Sequence, residues 1–144
     1  MYKSVLVATD GSETAGEAVR VATELAKTLG ATLHVVSVYQ TGAKGALRIT
    51  EMTGAYPGSA DTLSIADTVL EGIASNARTQ GIETHTYAAS GPVAERIVSV
   101  AREQKVDLIV VGNKGMRGAK RILGSVPNAV AHSAPCAVLI HNTT

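Results

Sequence analysis

Residues Lys3–Val38 read KSVLVATDGSETAGEAVRVATELAKTLGATLHVVSV, and the apolar period changes twice within them. Lys3–Thr9 is a short Val-rich run closed by the turn-forming Asp10-Gly11-Ser12, the pattern of a buried strand running into a loop. From Thr14 the spacing becomes helical: Ala15, Ala18, Val19, Ala22, Leu25, Ala26 and Leu29 recur at steps of three and four. Thr14 and Glu17 have the spacing of a capping box, and Gly30 suits the residue just past a helix end. Residues 31–38 return to a strand. Strand, helix and strand in this order predict a parallel pair joined by a helical crossover.

The rest of the chain repeats the alternation. Residues 61–80 carry helical spacing from Leu63 to Ala77 and stop at Gly81, and residues 82–88 alternate weakly, as an edge strand does. Gly91-Pro92 opens a helix over 93–103, and Asp107–Gly112 (DLIVVG) is a near-continuous apolar strand. A basic, glycine-bearing loop follows, then a short helix over 126–132 and a last strand over 136–140. Residues 40–60 hold four Gly, one Pro and no period, and read either as a lid beside a site or as a plain insertion. The whole predicts an α/β fold: a doubly wound, open five-stranded parallel sheet with helices on both faces, in one domain spanning 1–144. Ligands bind such sheets beyond the carboxyl ends of strands, where the winding reverses. The two most apolar strands, the first and the fourth, are expected at the centre. Their ends carry Asp10-Gly11-Ser12 and Gly112-Asn113-Lys114-Gly115.

Composition removes several classes of function. With 45% hydrophobic and 17% charged residues, 144 residues suffice for a core that needs no disulfide or structural metal. Thirteen Lys and Arg against twelve Asp and Glu produce no field that would recruit nucleic acid or a membrane surface. Four Tyr without Phe or Trp make no stacking platform for single strands. One cysteine fits a reducing compartment, and the apolar start before Asp10 is too short for a signal peptide or a span, so a cytoplasmic location is expected. Neither GxxxxGK[ST] nor a GxGxxG after a strand is present. The four histidines (34, 85, 132, 141) lack the spacing of zinc ligands, and Cys136 reads as an inert packed thiol. No paired carboxylates or Ser/His/Asp set points to hydrolysis.

What remains is Val111–Asn128, VGNKGMRGAKRILGSVPN, with four glycines, four cations (Lys114, Arg117, Lys120, Arg121) and no acid. Glycines let backbone amides approach a phosphate closely. Ser125 reads as the N-cap of the helix that follows, with Pro127 tolerated in its first turn, and a helix N-terminus favours an anion. On spacing alone, phosphate binding and a merely solvated basic loop stand equal.

The stretches VLVATDGS (Val5–Ser12), DLIVVGNKG (Asp107–Gly115) and LGSVPNAVAHSAPCAVLI (Leu123–Ile140) resemble, in order and over essentially the whole chain, the universal stress protein family. The nucleotide-binding branch carries Gly-x2-Gly-x9-Gly-[Ser/Thr]. Here Gly112-x2-Gly115 is followed by eight residues before Gly124-Ser125, a connection trimmed by one. The resemblance implies a Rossmann-like fold that binds ATP, with Mg²⁺ shielding the phosphates, and serves as a nucleotide-dependent sensor in stress response. It implies that Gly112, Gly115, Gly124 and Ser125 hold the phosphates, with Val126 adding an amide and Lys114 and Arg117 acting through charge. Thr9 and Asp10 would face the ribose or adenine side, and Val38 and Val111 would present backbone to adenine. Asp10 has a plainer reading as a turn-former, and the two valines as core. cAMP is the alternative ligand of the same pocket, and an interaction module with an empty site is the competing class; a slow ATPase would have only Asp10 to activate water. The resemblance also implies a homodimer through the apolar final strand, whose edge is open for pairing.

Overall fold

Val5 and Val7 turn to one side of the first strand and Leu6 and Ala8 to the other, so that strand must be covered twice. The computed structural model describes residues 1–39, 62–113 and 124–143. Its elements run β1 (Ser4–Thr9), α1 (Glu13–Leu29), β2 (Thr32–Tyr39), α2 (Thr62–Thr79), β3 (Thr84–Ser90), α3 (Val93–Glu103), β4 (Leu108–Gly112), α4 (Ser125–Ser133) and β5 (Ala137–His141). The strands form one sheet in the order β3-β2-β1-β4-β5, parallel at every pairing. The expected doubly wound α/β sheet is therefore observed, with the first strand at its centre and the fourth beside it. The edge strand expected over 82–88 begins two residues later, because the Ile82 amide closes the turn after α2 by donating to the Ala77 carbonyl at 3.2 Å. The expected lid or insertion at 40–60 lies outside the described residues.

Each face has its own helices. On one, Val5, Val7, Leu33, Val35 and Val110 pack against Ala18, Ala22 and Ala26 of α1 and Leu70 and Ala77 of α2. On the other, Leu6, Val36, Ile109 and Val111 meet Ile97 and Ala101 of α3 and Val130 of α4. Methyl-sized residues on the helices let them lie close on a sheet of branched side chains, so a dense core forms without Phe or Trp. The period of two along each strand sorts the residues between the faces.

Asp107 fastens the two central strands at their lower ends. Its carboxylate accepts the Lys3 and Ser4 amides at 2.9 and 3.1 Å, and its own amide donates to the Ser4 carbonyl at 3.1 Å. From there β1 and β4 pair at Val5–Leu108, Leu6–Ile109 and Val7–Val110, and no further. Above Val7 the strands part. β1 continues with β2 as far as Thr9–Ser37, and β4 with β5 as far as Gly112–His141.

His34, within β2, is buried at 6% exposure, its Nδ1 2.8 Å from the Tyr87 hydroxyl and its ring stacked on His85 at 5.5 Å. Burial, and next the neighbouring His85, push its imidazole below the ordinary value of 6.5, against a smaller pull upward from Glu83. The unfolded chain then binds more protons than the folded one between that depressed value and 6.5. Stability should rise with pH through the window and fall as pH drops below 6.5. Urea midpoints measured across this range should show the decline, and His34→Gln should flatten it; an unchanged slope in the variant would assign the titration elsewhere.

Candidate functional site

The parting of β1 and β4 leaves a crevice at the carboxyl end of the sheet, and each strand turns into a helix there. After β1 the turn is held by side chains on backbone: Thr9 Oγ1 accepts the Gly11 amide at 3.1 Å, and Asp10 Oδ1 accepts the Ser12 amide at 2.8 Å. Gly11 takes φ +82°, a conformation that excludes most side chains. Ser12 caps α1, its Oγ accepting the Ala15 amide at 3.3 Å. The capping box expected at Thr14 and Glu17 does not form. The N-cap lies two residues earlier, because the Asp10 turn delivers Ser12 to the cap, and Glu17 is drawn to Arg20 at 2.6 Å instead.

On the other side α4 begins at Ser125, with Gly124 as its N-cap in extended geometry and no side-chain cap bond. The expected N-cap role of Ser125 is thus corrected by one position: the first helical bond runs from the Asn128 amide to the Gly124 carbonyl at 3.0 Å. The amides of Ser125 and Val126 have no intrahelical acceptor, and Pro127 at the third position has no N–H to satisfy. Two helix N-termini, with their partial positive charge, open beside one crevice.

Between them lies a cavity of about 260 Å³. Ala8, Thr9 and Asp10 line it from β1, Ser12, Thr14, Ala15 and Ala18 from the start of α1, and Val38 from the end of β2. Val93 of α3, Val111 and Gly112 of β4, Val126 and Pro127 of α4, and Thr143 complete it. Of the residues singled out in the sequence, Thr9, Asp10, Val38, Val111, Gly112 and Val126 are brought together on this wall. Gly124 and Ser125 sit at the mouth of α4 next to Val126. Lys114, Gly115 and Arg117 lie outside the described residues.

Several lining residues were not legible beforehand. Val93 arrives because α3 crosses the sheet above β2, and Thr143 because the chain folds back after β5. Asn113, directly behind Gly112, is 1% exposed and holds that tail: its Oδ1 accepts the Thr143 amide and hydroxyl at 2.8 and 2.9 Å, and its Nδ2 donates to Asn142 Oδ1 at 2.9 Å. A buriable amide next to a strand-ending glycine was the available signal. His141 lies 3.4 Å from Glu17 across α1, and the Arg20 guanidinium holds that exposed carboxyl down at about 2, with His141 contributing less. Cys136 is half-buried, and burial raises its thiol, as suits an inert packed group. Among the described residues no three His, Cys, Asp or Glu converge as metal ligands.

A model of the universal stress protein family matches residues 1–141. The chain belongs to the universal stress protein family. It is 34% identical to universal stress protein YxiE of Bacillus subtilis, with 97% of this chain and 99% of that one covered. It is likewise 34% identical to universal stress protein A homolog 1 of Coxiella burnetii, covering 96% and 94%. Among solved structures, a universal stress protein in complex with cAMP superposes with a TM-score of 0.74 at 30% identity, covering 99% of this chain and 98% of the other. The structure of the hypothetical protein MJ0577 superposes at 0.76 with 24% identity over 99% and 96%, a likeness of fold. Within the described residues of this universal stress protein, no helix is long and apolar enough to cross a membrane.

The two caps make opposite predictions for stability. Ser12→Ala removes a formed cap and should cost about 1 kcal/mol. Ser125→Ala removes none and should stay within about 0.5 kcal/mol of the parent. Thermal unfolding of the two variants checks the pair, and equal losses would contradict the assignment of Gly124 as the cap.

Proposed function

We propose that the chain binds an adenine nucleotide in the crevice between β1 and β4. The observation that carries this is the sheet parting at its switch point beneath the N-termini of α1 and α4, with apolar walls leading away from them. Backbone amides at Gly112, Gly124, Ser125 and Val126, with Gly115, hold the phosphates, and Lys114 and Arg117 add charge. Thr9 and Asp10 border the ribose, and Val38 and Val111 flank adenine. ATP is the first ligand on this reading. Mg²⁺ would arrive on its phosphates. cAMP is the second reading, favoured by the complex of the relative at 30% identity. The site works as a sensor or carrier, and the Asp10 carboxylate shapes its own turn through the Ser12 amide. The whole of residues 1–144 acts as one cytoplasmic domain that reports nucleotide state in stress response.

Calorimetric titration of the purified chain with ATP–Mg²⁺ and with cAMP tests the reading. Binding of at least one is expected. Gly124→Val and Gly115→Val should abolish it while the circular dichroism spectrum stays that of the parent. If both variants bind like the parent, the phosphate assignment is wrong.

The chain further acts as a homodimer through β5. This strand ends the sheet, and Ala137 and Ile140 are exposed along it, Ile140 at 37%. An open apolar edge is a template for the same edge of a second copy about a two-fold axis. Sedimentation at micromolar concentration should show a dimer and Ile140→Lys a monomer; a monomeric parent would overturn this.

A further inference from the structure

The β4–β5 ladder closes at Gly112–His141, yet the chain is fastened for two residues more. Asn142 and Thr143 add no strand pairing, and Asn142 is exposed, so neither ladder nor core demands their order. Asn113 nevertheless commits three hydrogen bonds of a nearly fully buried amide to them. The result is that Thr143 stands against Gly112. A Cβ on residue 112 would lie 3.2 Å from Thr143 Cγ2 and 3.7 Å from its Oγ1, and among the described residues nothing else comes within 4 Å. Thr143 and Gly112 both line the cavity.

We propose that Gly112, Asn113 and Thr143 form one unit in which the tail is a wall of the nucleotide site and Asn113 is its positioning residue. Gly112 is a glycine because Thr143 needs the space, and the ligand does not enter it. This rests on the nucleotide reading above. Thr143 gives both its amide and hydroxyl protons to Asn113, so its donors are spent behind the wall. The wall therefore acts by shape, retaining bound nucleotide, and loosening it raises the dissociation rate more than it lowers the association rate.

A double-mutant cycle between Gly112→Ala and Thr143→Ala, read as affinity and dissociation rate for cAMP and for ATP–Mg²⁺, decides the matter. Each single variant should weaken binding by about tenfold, the scale of one lost neutral contact. The double variant should bind no worse than Thr143→Ala alone, because the added methyl then meets open space. Asn113→Ala should match Thr143→Ala. Asn113→Ala combined with Thr143→Ala should bind like Thr143→Ala alone, a non-additivity that loss of folding would not mimic. Should Asn113→Ala not fold, the cycle still decides. A Gly112→Ala loss that persists undiminished in the Thr143→Ala background would mean that the ligand itself occupies the space. Parent-like binding by Thr143→Ala would remove the wall. If the parent binds neither nucleotide, the nucleotide reading falls first and this inference with it.

Discussion

The separation of β1 from β4 above Val7 and Val110 is the constraint from which the site follows. Asp107 holds the two strands together at the bottom, and their pairing ends at Val7–Val110. Each remains hydrogen-bonded on its outer side, β1 to β2 and β4 to β5, so the break is confined to one seam. The connection after β1 leads to the face covered by α1 and α2, and that after β4 to the face covered by α3 and α4. Two helices that leave one seam toward opposite faces must both begin at it. Their positive ends meet there without any cationic side chain among the described residues being required.

The chemistry of the cavity matches that geometry. Val38, Val93 and Val111 make an apolar wall, and the polar groups are few and already committed in direction. Asp10 and Thr9 shape their own turn through the amides of Ser12 and Gly11, so the loop is organised before any ligand arrives. Preorganisation of this kind lowers the ordering cost of binding. Gly124 serves the same end at α4, since a cap without a side chain leaves the first amides of that helix uncovered.

The two ends of the sheet differ in kind. The lower end is a matter of stability, with Asp107 bridging the central strands and the buried His34 meeting Tyr87 and stacking on His85 over the β2–β3 pair. The upper end trades pairing for a cavity. Leu6 and Ile109, both fully buried beneath it, keep the seam from opening further down. The tail after β5, tied to Asn113, and His141 at the end of β5, which reaches Glu17 of α1, belong to the upper end and close its far side.

The sequence alone specifies the elements, their order and the sheet's two-sided burial. Apolar periods of two and 3.6 are local properties, and Val5 to Val7 or Ala15 to Leu29 display them whatever lies nearby. It also pointed to the strand ends at Asp10 and Gly112, because turn residues after a buried strand are visible in a single stretch. Which residue caps which helix was settled only by the folded turn: the Asp10 carboxylate captured the Ser12 amide and advanced the cap of α1 by two positions, and Gly124 displaced Ser125 at α4. Boundaries of that sort depend on competition between neighbouring hydrogen bonds, and the pattern of apolar residues is silent about it. Val93 and Thr143 reached the cavity, and Asn113 its place behind it, through contacts between segments far apart in the chain, the Asn113–Thr143 pair thirty residues apart. Nothing local marks such a pair. Only the sheet, by setting β5 beside β4, brings an asparagine after one strand against the tail after the other.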